Sequence, residues 1–169
     1  MLDISGGVPI PKIIDFGYAR YQSQSISSFM LKGLNPFYLA PEALNGIFSI
    51  QSDIFSVGAM LYHLLYGMLP YYTDISKVKG DRNALLTEIS EARTRPLRIP
   101  NKSIFEMDEQ LINTMSKALA LDVEDRFQSA DEFIKAIKGE IKVDRITHKP
   151  QSTFVENSDT HEENKNINR

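Results

Sequence analysis

Apolar positions recur at helical spacing over most of the chain, and Gly, Pro and Asp mark the breaks. The strongest run predicts a helix over Gln51–Tyr66. Its apolar residues, Ile54, Phe55, Val57, Ala59, Met60, Leu61, Leu64 and Leu65, cover nearly the whole circumference. A helix apolar all round requires burial on all sides. Ser52 reads as its N-cap and Asp53 suits the positive end of the helix dipole. Gly67 and then Pro70 stop it. Arg82–Arg93 forms a further helix. Asp108 caps one from Glu109 to Leu121, with Leu111, Ile112, Met115 and Leu119 on one face. Ser129 caps a last helix from Ala130 to about Lys138, with Glu132 at the capping-box position and Gly139 at its end. Pro41 opens a short helix over Glu42 to Leu44. Upstream, Val8–Phe16 alternates as a strand interrupted by Pro9 and Pro11, clearest at Lys12-Ile13-Ile14. Gly6-Gly7 supplies the turn of a short hairpin. Residues 21–36 carry no clean period and read as a loop.

Composition narrows the picture. At 169 residues and 42% apolar content, the chain fits one domain with a buried core. A net charge of −3 offers no electrostatic capture of nucleic acid. The absence of cysteine excludes disulfides, thiolate metal sites and cysteine nucleophiles, and fits a reducing, cytoplasmic location. Ile54–Leu69 is interrupted by Ser56, His63 and Gly67 and falls short of the roughly 20 residues of a membrane span. No basic stretch followed by an apolar run marks a leader at Met1. A soluble protein without membrane or nucleic-acid partners is expected. Apolar residues thin out towards the C-terminus, so residues 141–169 read as a disordered polar tail behind a domain over 1–140.

Candidate chemistry begins at Asp15-Phe16-Gly17. Phosphoryl transfer needs hard oxygen ligands to hold magnesium against phosphates, and a carboxylate in a turn after a strand provides one. Alone, the tripeptide is also an ordinary strand-end turn. The ordered set is more specific: Asp15-Phe16-Gly17, Leu39-Ala40-Pro41-Glu42, Ser52-Asp53-Ile54-Phe55-Ser56-Val57-Gly58 and Asp125-Arg126-Phe127. In this order the chain resembles the later part of a protein-kinase catalytic domain, from the D-F-G motif through A-P-E onward. The closing Arg126-Phe127-Gln128-Ser129-Ala130-Asp131-Glu132-Phe133 is most similar to bacterial serine/threonine kinases of the eukaryotic-like type.

The resemblance implies a kinase-like fold: a mainly α C-terminal lobe with a short β-hairpin, without the N-terminal lobe and the catalytic loop. It implies that Asp15, Phe16 and Gly17 contribute to the cofactor site, with Asp15 the magnesium ligand. It implies that Glu42 pairs with Arg126, and that Asp53 accepts hydrogen bonds from a catalytic-loop backbone. Glu42, Asp53 and Arg126 are then scaffold, and no residue of this chain is assigned as the catalytic base. ATP and Mg2+ are the cofactors of the complete family domain, and tight binding by this piece is not expected. The simpler readings are a solvated Glu42, a surface Arg126 and an Asp53 that serves only the helix dipole. His63 reads as a core or boundary residue and not a metal ligand.

Ser23, Ser25, Ser27 and Ser28 occupy the family's phosphorylated loop, where a phosphate would pair with an arginine such as Arg20. The rival reading is a flexible serine-rich loop. Where the family reads Gly-Thr-Pro-x-Tyr, this chain has Leu34-Asn35-Pro36-Phe37-Tyr38, so Asn35 replaces a threonine. Residues 1–14 hold no glycine loop, nucleotide lysine or catalytic aspartate. The expectation is a partial serine/threonine kinase domain, inactive on its own, that phosphorylates protein hydroxyls from ATP when complete. Its partner would be a protein whose identity the sequence does not give, a substrate or another binding protein, with a missing N-terminal half as one candidate. The alternative is a pseudokinase-like, non-catalytic protein-binding module. Because the helix that family members pack on 51–66 is missing, exposed apolar surface, dye binding and a broad thermal transition are expected.

Overall fold

The computed structural model describes residues 1–21, 33–71, 73–78, 80–100 and 107–145. A hairpin opens the chain. Leu2–Asp3 (β1) pairs antiparallel with Ile10–Pro11 (β2), Leu2 opposite Pro11 and Asp3 opposite Ile10. Gly7, at φ 77°, takes the left-handed conformation in the turn. Lys12 exchanges backbone hydrogen bonds with Met1, at 2.9 and 3.2 Å. The strand therefore lies at 10–11, not at Lys12–Ile14. Ile13 and Ile14 lie past the end of the ladder and are exposed. Lys12 Nζ also bridges Asp3 Oδ2 at 2.6 Å. That bond, with those from Ser5, holds the Asp3 carboxyl down at about 2.

Five α-helices follow among the described residues: α1 Pro41–Leu44, α2 Ile50–Tyr66, α3 Arg82–Arg93, α4 Glu109–Ala118 and α5 Ala130–Ile137. Pro41 starts α1, where its missing N–H costs nothing. Helix α2 begins earlier than its composition suggests. Ser49, not Ser52, is the N-cap, accepting from the Ser52 N–H at 3.2 Å. The Ser52 hydroxyl accepts from the Ser49 N–H in return, so the two serines form a capping box. Gly67, at φ 70°, closes the helix in the left-handed conformation. Helix α4 ends at Ala118, short of the expected Leu121. The carbonyls just past its end are taken up by side chains: Leu119 O accepts from Tyr71 Oη, and Ala120 O and Leu121 O from Arg126. Ser129 caps α5, and Glu132 accepts from the Gln128 N–H.

Helix α2 is the centre. Its Phe55, Ala59, Tyr62, Leu65 and Tyr66 pack with Ala40, Ala43, Ala92, Met115 and Leu119 in one cluster. Ile54 joins Ala118, Phe127, Phe133, Ala136 and Val143 in a second. The approach of α2 to α4 is close. A Cβ on Gly58 would stand 2.9 Å from the Ala118 Cβ and 3.4 Å from Leu119 Cγ. Gly58→Ala is therefore expected to destabilise the chain by about 1–3 kcal/mol through overpacking. Urea unfolding measures the loss, and adding Ala118→Gly should recover part of it.

The folded body runs past the boundary drawn at 140. Val143 is buried, with its N–H bonded to Gln110 Oε1 and its carbonyl to Asn113 Nδ2. Gln110 Nε2 holds the carbonyls of Ala136 and Ile141 as well. Two α4 amides thus staple 141–143 to the helices, which a reading of composition alone does not detect. Residues 146–169 lie outside the described residues.

Candidate functional site

The best-defined polar site lies where α1 meets the turn before α5. The Arg126 side chain is fully buried, and all five of its N–H donors find acceptors. Nε donates to Ala120 O at 2.7 Å. Nη1 donates to Glu42 Oε1 at 2.6 Å and Gln51 O at 3.2 Å, and Nη2 to Glu42 Oε2 and Leu121 O, both at 2.9 Å. Ser52 Oγ adds a hydrogen bond to Glu42 Oε1 at 2.8 Å. The guanidinium lies 4.9 Å from the centroid of the Phe55 ring. Burial alone would raise the Glu42 carboxyl. The hydrogen bonds and charge of Arg126, with help from Ser52, outweigh it and hold the group below its ordinary 4.5.

A second buried arginine fastens the chain just before α1. Arg93, at the end of α3, donates from Nη2 to Pro36 O at 3.2 Å and lies 5.4 Å from the same Phe55 ring. Burial pulls its guanidinium down to about 10, still charged at neutral pH. Arg82, at the start of α3, donates to Leu34 O at 3.4 Å. Asn35 Oδ1 accepts from the Phe37 N–H at 3.1 Å, so its amide closes its own loop. Tyr38 Oη and His63 Nδ1 lie 2.7 Å apart. His63 is exposed on the outer face of α2 and not in the core.

Asp15 stands apart from this cluster. It adopts φ 64° and ψ 76°, a left-handed conformation that Asp tolerates, and its Oδ1 accepts from the Gly17 N–H at 3.2 Å. Phe16 and Gly17 open a 3-10 turn, and Phe16 is exposed. Among the described residues, Asp15 shares no hydrogen bond with Glu42, Asp53 or Arg126. Asp53 is exposed as a residue, yet its carboxyl is crowded enough that burial pushes it up, and it has no side-chain partner among the described residues. Ser23, Ser25, Ser27 and Ser28 lie outside the described residues. Among the described residues no three His, Cys, Asp or Glu side chains converge.

The all-round burial expected of α2 is met on one side only. Val57, Met60 and Leu64 are 48%, 60% and 63% exposed. With Leu61, Tyr38 and His63 they line an open groove of 650 Å³. Sequence reasoning missed Arg93 and Ser49. Ser49-x-x-Ser52 was a readable capping signal, whereas nothing in the spacing of α3 marks its last arginine as buried.

A family model described as the protein kinase domain matches residues 1–137. The chain belongs to the protein kinase family. It is similar to Calcium-dependent protein kinase 3 of Plasmodium yoelii yoelii, with 38% identity over 61 residues, 36% of this chain and 11% of that protein. It is 28% identical over 146 residues to Serine/threonine-protein kinase ATG1 of Kluyveromyces lactis, covering 86% of this chain and 16% of that protein. It is 28% identical over 156 residues to Probable serine/threonine-protein kinase PknB of Lactococcus lactis subsp. lactis, covering 91% and 23%. The chain thus spans between 11% and 23% of the length of these kinases. No helix among the described residues is long and apolar enough to cross a membrane.

Proposed function

We propose that this chain supplies the activation segment and helical base of a serine/threonine protein kinase, and that alone it transfers no phosphate. The observation that carries this reading is the buried, bidentate Glu42–Arg126 pair. Across 84 positions it fastens the segment that follows Asp15 to the helical base, which is what a kinase requires of that segment. The bare face of α2 supports the second half of the reading: the rest of a catalytic domain docks there.

Protein kinases use ATP and magnesium, the metal neutralising charge that develops on the transferred phosphoryl group. Asp15 fits one ligand position for such an ion. Its Oδ1 is committed to the Gly17 N–H, Oδ2 has no partner among the described residues, and the turn is exposed. Magnesium sites of this kind take one or two carboxylates, with water and phosphate oxygens completing the shell. Neither the Glu42–Arg126 cluster nor the Asp15 turn holds a general base or a nucleotide lysine. The role of this chain is to hold one carboxylate, to present the loop at Leu34–Tyr38, and to anchor both.

The test is incubation of the pure chain with radiolabelled ATP and magnesium. No incorporation is expected, and incorporation would overturn the claim of inactivity. In a catalytically complete domain carrying these residues, Asp15→Asn should lower the rate by about a hundredfold or more. An unchanged rate would remove Asp15 from the metal site. A non-catalytic binding module is the second reading, favoured by the same bare α2 face. It requires a defined partner that co-purifies with the chain from its native cells.

A further inference from the structure

A second groove, of 610 Å³, lies at the far end of α2, between the chain after Gly67 and the segment that leaves α3. Phe37, Tyr62 and Tyr71 give it aromatic walls, and Met68 and Ile75 extend it outward. Met68 and Ile75 are 52% and 66% exposed, so the apolar surface spreads beyond the groove onto the outside of the molecule. Arg98 supplies the only charge in the lining among the described residues. Its carbonyl is tied down by Tyr62 Oη, which donates to it at 2.6 Å. Its guanidinium has neither a hydrogen-bond nor an ion-pair partner among the described residues. Burial, with the neighbouring Tyr66, pushes the Tyr62 hydroxyl up to about 12, and the Arg98 charge works against them. The neighbouring acid, Asp74, turns its Oδ1 to Ser76.

We propose that this groove binds a segment of a partner protein in which an apolar side chain, seated against Tyr62, Tyr71 and Met68, is followed by a carboxylate that pairs with Arg98. Charge complementarity argues for the carboxylate: among the described residues, one unpartnered cation stands at an apolar groove whose lining holds no acid. The exposed Met68 and Ile75 argue for a protein. An apolar patch that continues outside the groove is covered by a surface, not by a ligand that fills the hollow alone. The polar rim around an aromatic centre is the usual anatomy of such an interface. Phosphotransfer plays no part in this binding, so the groove can be tested whether or not the kinase reading holds.

The probes are two blocked peptides, acetyl-Leu-Glu-Phe-amide and acetyl-Leu-Gln-Phe-amide, titrated into the full chain with NMR detection. The Glu peptide should shift the signals of Arg98, Met68 and Ile75 saturably and bind about fivefold more tightly than the Gln peptide, the size expected of an exposed ion pair. Arg98→Met should erase that preference, and Arg98→Lys should keep most of it, which separates charge recognition from a folding defect. Equal affinity for the two peptides would overturn the proposal, as would shifts confined to other surfaces or no binding by either. Tighter binding of sodium decanoate than of the Glu peptide would reassign the groove to a lipid acid. Dimers in sedimentation that Ile75→Asp abolishes would reassign it to a second copy of this chain.

Discussion

Arg126→Met is expected to lower the unfolding free energy by about 3–5 kcal/mol, the usual cost of removing one partner of a buried ion pair. Set against roughly 5–15 kcal/mol for a whole domain, that brings the chain close to its folding threshold. The loss has two parts. Glu42 keeps Ser52 for its buried carboxylate but loses both bonds from the guanidinium, and the carbonyls of Ala120 and Leu121 lose their donors, whereas Gln51 O keeps its place in the ladder of α2. The double variant Glu42→Leu, Arg126→Met should therefore recover only the carboxylate part, because two carbonyls remain unserved. Urea unfolding followed by circular dichroism measures all three proteins. Full recovery in the double variant would show that the carbonyl bonds contribute nothing. The pair also sets a pH dependence. The Glu42 carboxyl lies below its ordinary 4.5 in the folded chain, so the stability it contributes is present above pH 4.5 and is lost as pH falls through the lower folded value. Glu42→Gln should flatten the acid side of the stability profile, and an unaltered profile would contradict the assignment.

The second large effect concerns the outer face of α2. Fully burying one Leu, Met or Val side chain contributes about 1.5–3 kcal/mol, and Val57, Met60 and Leu64 lie side by side on a face open to water. The chain should bind an apolar dye and self-associate at micromolar concentration. Val57→Lys, Met60→Glu and Leu64→Lys combined should abolish both. The fold should shift by no more than about 1 kcal/mol, since substitutions at exposed positions seldom cost more. Light scattering and dye fluorescence read the first effect, and urea unfolding the second. A sharp, cooperative melt of a monomer that binds no dye would refute the prediction for the unmodified chain. Severe unfolding of the triple variant would place those side chains in a core that the structure does not show.

Helices were the legible part of this sequence, because periodicity and capping act within a few residues. Asp81, Asp108 and Ser129 cap α3, α4 and α5 through their own side chains, and Arg82–Arg93 has the limits its pattern sets. What failed was decided from a distance. Helix α4 stops short of Leu121, and of the carbonyls that follow it Leu119 O bonds to Tyr71, 48 positions away, while Ala120 O and Leu121 O bond to the nearby Arg126. The strand expected at Lys12–Ile14 lies instead at Ile10–Pro11, in register with Leu2–Asp3, because strand pairing is set by a partner several residues away. The all-round apolar character of α2 shows that cover is needed, but not which face this chain leaves open. Of the polar site, no spacing rule joins Glu42 to Arg126 across 84 positions; only the family resemblance suggests the pair, and the hydrogen bonds themselves come from the structure.

The same separation governs the order in which the molecule can form. Helix α1 has four residues and little to hold it except what reaches it through Arg126 and α3. Closing a chain loop of 84 positions costs entropy before any hydrogen bond of the clamp is gained. Folding should therefore begin with the local helices α2, α4 and α5 and end with α1 docking on a preformed base, on the slow side for a helical body of this size. In a growing polypeptide α1 emerges early and waits until Arg126 has been made. During that interval the loop at Leu34–Tyr38 lacks the anchor that Arg126 gives to α1, which is when a chaperone would find it most accessible.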